Sequence, residues 1–275
     1  MQRESSVPHA EREDYELLPA GDPTRMIFGV RRQSASGGGA FDSTGDLQNY
    51  PVSLTAASRS ACRRAPNFQV TMKKDLRRRV ALCMTGASGA IYGLRTLEAL
   101  VRDQSLEVHL SISPSAQKVL EVEHGLDLDL QHFKPKALRV PLAERAVYHA
   151  YDDLAAATAS GSFRIQAMAI VPCSMGCAGA IAHGVSDDLI QRSADVMIKE
   201  RRTLVIVPRE TPLSAIHLEN LLALAKLGVV VLPASPGFYG KPQKVSQLVD
   251  FVVARILDHL KVEHELGPRW GERNK

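Results

Sequence analysis

Residues 199–214, KERRTLVIVPRETPLS, set a short apolar run, 203–207, between a basic segment (Lys199, Arg201, Arg202) and a charged turn framed by Pro208 and Pro212. An unbroken apolar run of this length is the pattern of a parallel strand buried on both faces. In α/β proteins the turn after such a strand is where ligands bind. Arg209 and Glu210, pinned in that turn, are therefore the first candidates for chemistry.

The same pattern recurs on either side. Besides 203–207, strands are expected at 80–84, 107–112, 167–171 and 229–232, and helices at 91–101, 115–124, 154–159, 187–201, 213–227 and 245–260. Strands alternating with helices predict right-handed βαβ units. The expected fold class is α/β, a single Rossmann-like or flavodoxin-like three-layer domain with a mainly parallel sheet. Small, hydroxyl-bearing or proline-fixed residues follow every strand, and in a parallel sheet these turns converge on one edge.

Residues 1–71 read differently. An acidic start (Glu4, Glu11, Glu13, Asp14, Glu16) gives way to Arg31 and Arg32 and then to a serine-glycine run ending at Gly39, without a sustained period. Such a segment buries too little apolar surface to offset its ordering entropy. It is expected to be a disordered extension, or the product of a misassigned start. Met72 opens MKKDLRRRVALCMTGASGA, a charged lead-in to a first strand, so 72–275 is expected to be the functional domain.

Composition narrows the function. The chain is 45% hydrophobic with a net charge of +4 and 5% aromatic residues, too weakly basic and too poor in interleaved aromatics to predict a nucleic-acid partner. Four cysteines (Cys62, Cys83, Cys173, Cys177) make no disulfide framework in a chain of this size, and Cys173 and Cys177 lack a second pair at zinc spacing, so no metal is expected. No apolar run reaches the roughly 18–20 residues of a membrane span. A cytoplasmic location with reduced thiols and no membrane contact is the expectation.

The turn after the first strand, TGASGA (85–90), has the spacing G-x-x-G-x-x-x-G through Gly86, Gly89 and Gly93. It is neither the dinucleotide G-x-G-x-x-G, nor a P-loop, nor a nucleophile elbow. The second strand ends in Ser111-Ile112-Ser113, without the acidic residue that holds an adenosine ribose. A mononucleotide with one phosphate, such as FMN, fits better; the alternative is a bare tight turn. Ser160-Gly161-Ser162-Phe163 and Pro172–Cys177 form a second small-residue stretch, suited to the close approach of a flat ring or serving only as helix caps. Arg192 and Lys199, seven residues apart, share a helix face that leads into Arg209. With Tyr239 and Arg255 they are expected to cage a second anion; the alternative is a solvated face. Trp270 is expected to be an anchor.

Seven segments in order, TGASGAIYG, ASGSF, PCSMG, RSADVMIKERR, VPRETPLS, PGFYGKPQ and a terminal RW, closely resemble the flavin prenyltransferases of the UbiX/Pad1 family. The resemblance implies an FMN-binding homo-oligomer, typically a dodecamer, that needs no metal. It implies transfer of a dimethylallyl group from dimethylallyl phosphate to reduced FMN, with the prenylated FMN passed to a UbiD-type decarboxylase. By position, the FMN contacts would be Gly86, Ala87, Ser88, Ser113, Ser174, Met175, Gly176, Cys177 and Arg209. The prenyl phosphate would meet Arg192, Lys199, Arg209, Tyr239 and Arg255. Catalytic roles fall to Ser88, Glu210, Lys199 and, by looser alignment, Glu123, with Ser88, Glu210 and the released phosphate as candidate bases.

The chain departs from the family pattern at two places: Pro114, where a lysine is common, and the pair Gly176-Cys177, where Lys-Thr or Ser-Thr is frequent. Both bear on flavin affinity. Two competing readings share the fold: an FMN-dependent cysteine-decarboxylase-like flavoprotein, whose catalytic histidine finds no matching motif at His183 or His217, and a non-catalytic FMN carrier, which would have no use for a second phosphate cage.

Overall fold

The computed structural model describes residues 77–267. The expected extension over 1–71, the start at Met72 and the Trp270 anchor lie outside the described residues.

Six strands form one sheet: β1 (Arg78–Met84), β2 (Leu106–Ile112), β3 (Val147–Tyr148), β4 (Ala167–Cys173), β5 (Thr203–Pro208) and β6 (Val230–Val231). All neighbouring pairs are parallel, in the order β3-β2-β1-β4-β5-β6. The helices are α1 (Ala90–Arg102), α2 (Pro114–His124), α3 (Met175–Ala182), α4 (Leu189–Lys199), α5 (Ala215–Lys226) and α6 (Val245–Leu260). Leu82, Leu110 and Val205 face a core shared with α1, α2 and α6, whereas Ala81, Met168 and Ile206 face the opposite core with α3, α4 and Leu224 of α5. The Rossmann-like expectation holds.

Three elements differ from the sequence reading. The strand β3 is a two-residue edge, too short to show a period. Where a helix was expected over 154–159, only a 3-10 turn at Ala157–Ala159 forms. The Asp153 carboxylate accepts the Ala155 amide at 3.1 Å, a local bond that competes with helix initiation. The helix α3 was read as part of a small-residue platform, because MGCAGAIA shows little amphipathic contrast; Ser174 starts it by accepting the Cys177 amide at 3.2 Å.

One glycine governs how closely the layers approach. A Cβ at Gly93 would stand 2.4 Å from the Val171 carbonyl oxygen and 3.0 Å from Met84 Cε, so α1 lies directly on β4. That contact holds the start of α1 over the centre of the sheet.

The outer half of β2 hides a polar seam. Glu107, His109 and Ser111 alternate with leucine, valine and isoleucine along the strand, yet His109 is only 3% exposed. Its Nε2 lies 3.1 Å from Glu107 Oε1 and its Nδ1 2.9 Å from His149 Nε2. A carboxylate only accepts, so His109 donates from Nε2 and takes the His149 proton at Nδ1. Arg79 reaches Glu107 at 3.3 Å and is covered by the Phe163 ring at 4.3 Å. Burial, then the neighbouring His149, push the His109 imidazole down to about 4, against the opposing pull of Glu107; burial also lowers His149.

Between about 4, where His109 titrates in the fold, and the ordinary histidine value near 6.5, the unfolded chain binds protons that the folded chain refuses. Stability should therefore be complete above about pH 6.5 and fall, by on the order of 1–3 kcal/mol, as the pH drops toward 4. Urea unfolding at pH 7.5 and pH 5 measures this. His109→Gln should remove most of the difference; an undiminished difference would place the titration elsewhere.

Candidate functional site at the strand-order reversal

The chain runs outward from β1 through β2 to β3, then restarts beside β1 at β4 and runs the other way. The turns after β1 and β4 therefore part company at the centre of the sheet, leaving a crevice at the strand ends where α/β proteins bind ligands. Ala87 donates its amide to Thr85 O at 2.8 Å, which curls the first turn tightly. A Cβ at Gly86 would come within 2.4 Å of Ser115 Cβ, so this glycine lets the turn close against the start of α2. Gly89 has φ 101°, the left-handed conformation that suits glycine, and delivers the chain into α1.

Glu123, near the end of α2, caps the start of α1. Its carboxylate accepts the Gly89 amide at 2.9 and 3.1 Å and the Ala90 amide at 2.9 Å. Partial burial raises its pKa, but hydrogen bonds from the Ser88 hydroxyl and the two amides outweigh this and hold the carboxyl below its ordinary value. The sequence reading had offered the start of α1 to a phosphate; the Glu123 carboxylate takes its Gly89 and Ala90 amides instead. Arg209 donates Nε to Ser88 O at 3.1 Å. Ser88, Glu123 and Arg209, from the ends of β1, α2 and β5, thus meet at one point.

The neighbouring turns complete the crevice. Ser113 caps α2 through Ala116 N at 3.1 Å, shares a hydrogen bond of 3.1 Å with Ser115, and donates its amide to Met84 O at 3.0 Å. Ser115 was not among the sequence candidates; its signal was its place as the second residue of α2, opposite Gly86. Met175 is buried in the core, so only its backbone remains for a ligand. Gly176 is exposed, with no atom within 4 Å of where a Cβ would stand. Cys173 and Cys177 are free thiols; a hydrogen bond with Cys177, together with burial, raises the Cys173 thiol well above its usual value, and burial does the same to Cys83. A thiol so held is a weak nucleophile. Glu210 stands exposed beyond Arg209, its carboxylate accepting the Thr211 amide at 3.1 Å.

The expected anion cage does not assemble within one copy. Lys199 ends α4 beside the start of β5 and pairs with Glu200 at 3.2 Å. Arg209 follows the far end of that six-residue strand, about 20 Å away along it. Arg192 is held by Asp195 at 2.8 Å and by Ala159 O at 3.3 Å. Arg255 lies about 15 Å along α6 from its start and pairs with Asp258 at 3.0 Å, near the end of α6 where Arg78 of β1 donates to Lys261 O. Tyr239 packs edge-on against Phe251 with ring centroids 5.6 Å apart.

A profile of the family described as Flavoprotein matches residues 69–257. The flavin prenyltransferase UbiX of Pseudomonas aeruginosa is 50% identical over 203 residues, covering 71% of this chain and 95% of that protein. This chain belongs to the flavin prenyltransferase family. The Methanocaldococcus jannaschii member is 45% identical over 193 residues, 70% of this chain and 98% of its own. A solved UbiX (PadA1) in complex with FMN and dimethylallyl pyrophosphate is 42% identical with a TM-score of 0.64, covering 72% of this chain and all (100%) of that one. A dodecameric FMN-dependent UbiX-like decarboxylase from Escherichia coli O157:H7 also has a TM-score of 0.64, at 41% identity over 70% of this chain and 100% of that one.

The crevice suits the family's flavin. Hydroxyls of Ser113, Ser115 and Ser174, the guanidinium of Arg209 and the first amides of α3 are the donors here that could meet a phosphate and a polar ring edge. The bare face at Gly176 leaves room for a flat ring, which a pocket built only for packing would not. Urea denaturation separates the two glycines. Gly176→Ala should leave stability unchanged or raise it by up to about 1 kcal/mol, the helix propensity gain. Gly86→Ala should cost about 1–3 kcal/mol by forcing Ser115 aside. The reverse ranking would contradict the packing described.

Proposed function

We propose that the chain transfers a dimethylallyl group from dimethylallyl phosphate to reduced FMN, in the cytoplasm, yielding a prenylated FMN for a UbiD-type decarboxylase. The meeting of Ser88, Glu123 and Arg209 at the strand-order reversal carries this reading. Reduced FMN, when bound, supplies the electron-rich ring that accepts the prenyl group. The chain supplies charge and proton transfer around it. Breaking an allylic C–O bond releases a phosphate, so fixed positive charge must stand where that phosphate departs. Arg209, oriented by the Ser88 carbonyl, is the cation at the crevice. Glu123, kept ionised by three donors, is poised to draw a proton through the Ser88 hydroxyl. Glu210, next to Arg209 in the turn after β5, is the second carboxylate.

The separation of Lys199 and Arg255 from Arg209 supports a site completed by other copies of the chain. An apolar strip on α5 remains exposed, including Ile216 at 67%, Leu218 and Leu222. Surfaces of this kind mark contact with a partner. A homo-oligomer, a dodecamer like the Escherichia coli relative, would bring Lys199, Arg192, Tyr239 and Arg255 of adjoining copies to the prenyl phosphate.

Anaerobic incubation with reduced FMN and dimethylallyl phosphate, followed by mass spectrometry of the flavin, should reveal an added five-carbon unit. Tightly held but unmodified FMN would instead identify a carrier. Lys199→Ala and Arg209→Ala should each abolish turnover alone, and dissociation and reassembly of the two together should restore measurable activity at sites drawing Lys199 and Arg209 from different copies. No recovery in verified mixed oligomers would refute the shared cage.

A further inference from the structure

We infer that Thr85 is a positioning residue of the flavin site, its hydroxyl holding the turn after β1 against the start of α3. The inference rests on the flavin reading of the crevice. Thr85 is 4% exposed and contributes no surface to a ligand, so its effect is exerted through its neighbours.

The regular pairing of β1 with β4 runs from Val80↔Ala167 to Cys83↔Ile170. Beyond it β4 presents Pro172, which has no amide proton to offer β1. Thr85 takes over. Its amide donates to Pro172 O at 3.1 Å, and its hydroxyl donates to the same oxygen at 3.0 Å. The hydroxyl oxygen in turn accepts the Ser174 amide at 2.8 Å. One hydroxyl therefore replaces the missing rung as donor and acceptor together, and its proton has a single direction.

Ser174 passes the constraint on, because its own hydroxyl accepts the Cys177 amide and starts α3. On the other side, Thr85 O receives the Ala87 amide and shapes the turn that carries Ser88. The two arms of the crevice, 86–88 and 174–177, thus share one clasp. Without the hydroxyl the Ser174 amide loses its partner, and the arms lose their common reference.

The test uses the full-length chain. Thr85→Val keeps the side-chain shape and removes the hydroxyl; Thr85→Ser keeps the hydroxyl. FMN titration followed by flavin fluorescence, well below each variant's melting temperature, should show Thr85→Val binding about tenfold or more weakly, the consequence of an unpaired amide. Thr85→Ser should stay within about threefold of wild type, a recovery that loss of packing alone would not give. The circular dichroism of the bound flavin should change in Thr85→Val and not in Thr85→Ser. If Thr85→Val fails to fold, Thr85→Ala, which adds no bulk, carries the same expectation. Wild-type affinity in the hydroxyl-free variant, or equal weakness in Thr85→Ser, would overturn the inference. Absence of FMN binding by the wild-type chain would overturn the flavin reading itself and the inference with it.

Discussion

The close approach of α1 to β4 is the contact on which the domain depends. Gly93 brings the helix against the Val171 carbonyl, and no side chain larger than hydrogen fits between them. Because α1 descends from β1 but rests on β4, it bridges the two strands at which the sheet reverses direction. The crevice exists where it does because this crossover pins β1 and β4 side by side while their following turns diverge. Every residue that meets Ser88, including Glu123 and Arg209, depends on that placement.

Charge is distributed to match. At the crevice, Glu123 neutralises the open amides of α1, leaving Arg209 and the serine hydroxyls to meet an anion. Away from it, cations are paired locally: Arg192 with Asp195, Lys199 with Glu200 and Arg255 with Asp258. Pairs this exposed contribute little to stability. The histidine seam along β2 is a different case, since His109 is buried and its cost at low pH follows from desolvation.

The reading of the sequence succeeded where a local pattern had one physical cause. Apolar runs at β1, β4 and β5 pointed to buried parallel strands, and the glycines at 86, 89 and 93 pointed to a tight strand-to-helix turn before its contacts were known. It failed where the cause was distant. The start of α1 looked like an open phosphate site because nothing nearby revealed that Glu123, 33 residues past Ala90, would fold back onto it. The helix α3 was missed because alanine and glycine carry no face. Thr85 looked like the last letter of a strand until Pro172 and Ser174 were seen to converge on it.

By itself, then, the sequence determined the α/β class, the edge at which the strand-end turns converge, and a set of hydroxyl-bearing and cationic residues suited to anionic ligands; the prenyl phosphate entered only with the family resemblance. These follow from periodicity and from side-chain chemistry, which are properties of short stretches. Only the tertiary structure decided which of those residues share one crevice. Lys199 and Arg209 are ten positions apart in the chain, and a rigid strand holds them at opposite edges of the sheet. Ser88 and Arg209, 121 positions apart, lie within hydrogen-bonding distance. Separation along the chain and separation in space are linked by the direction of each strand, and that direction is set by the packing of the whole sheet.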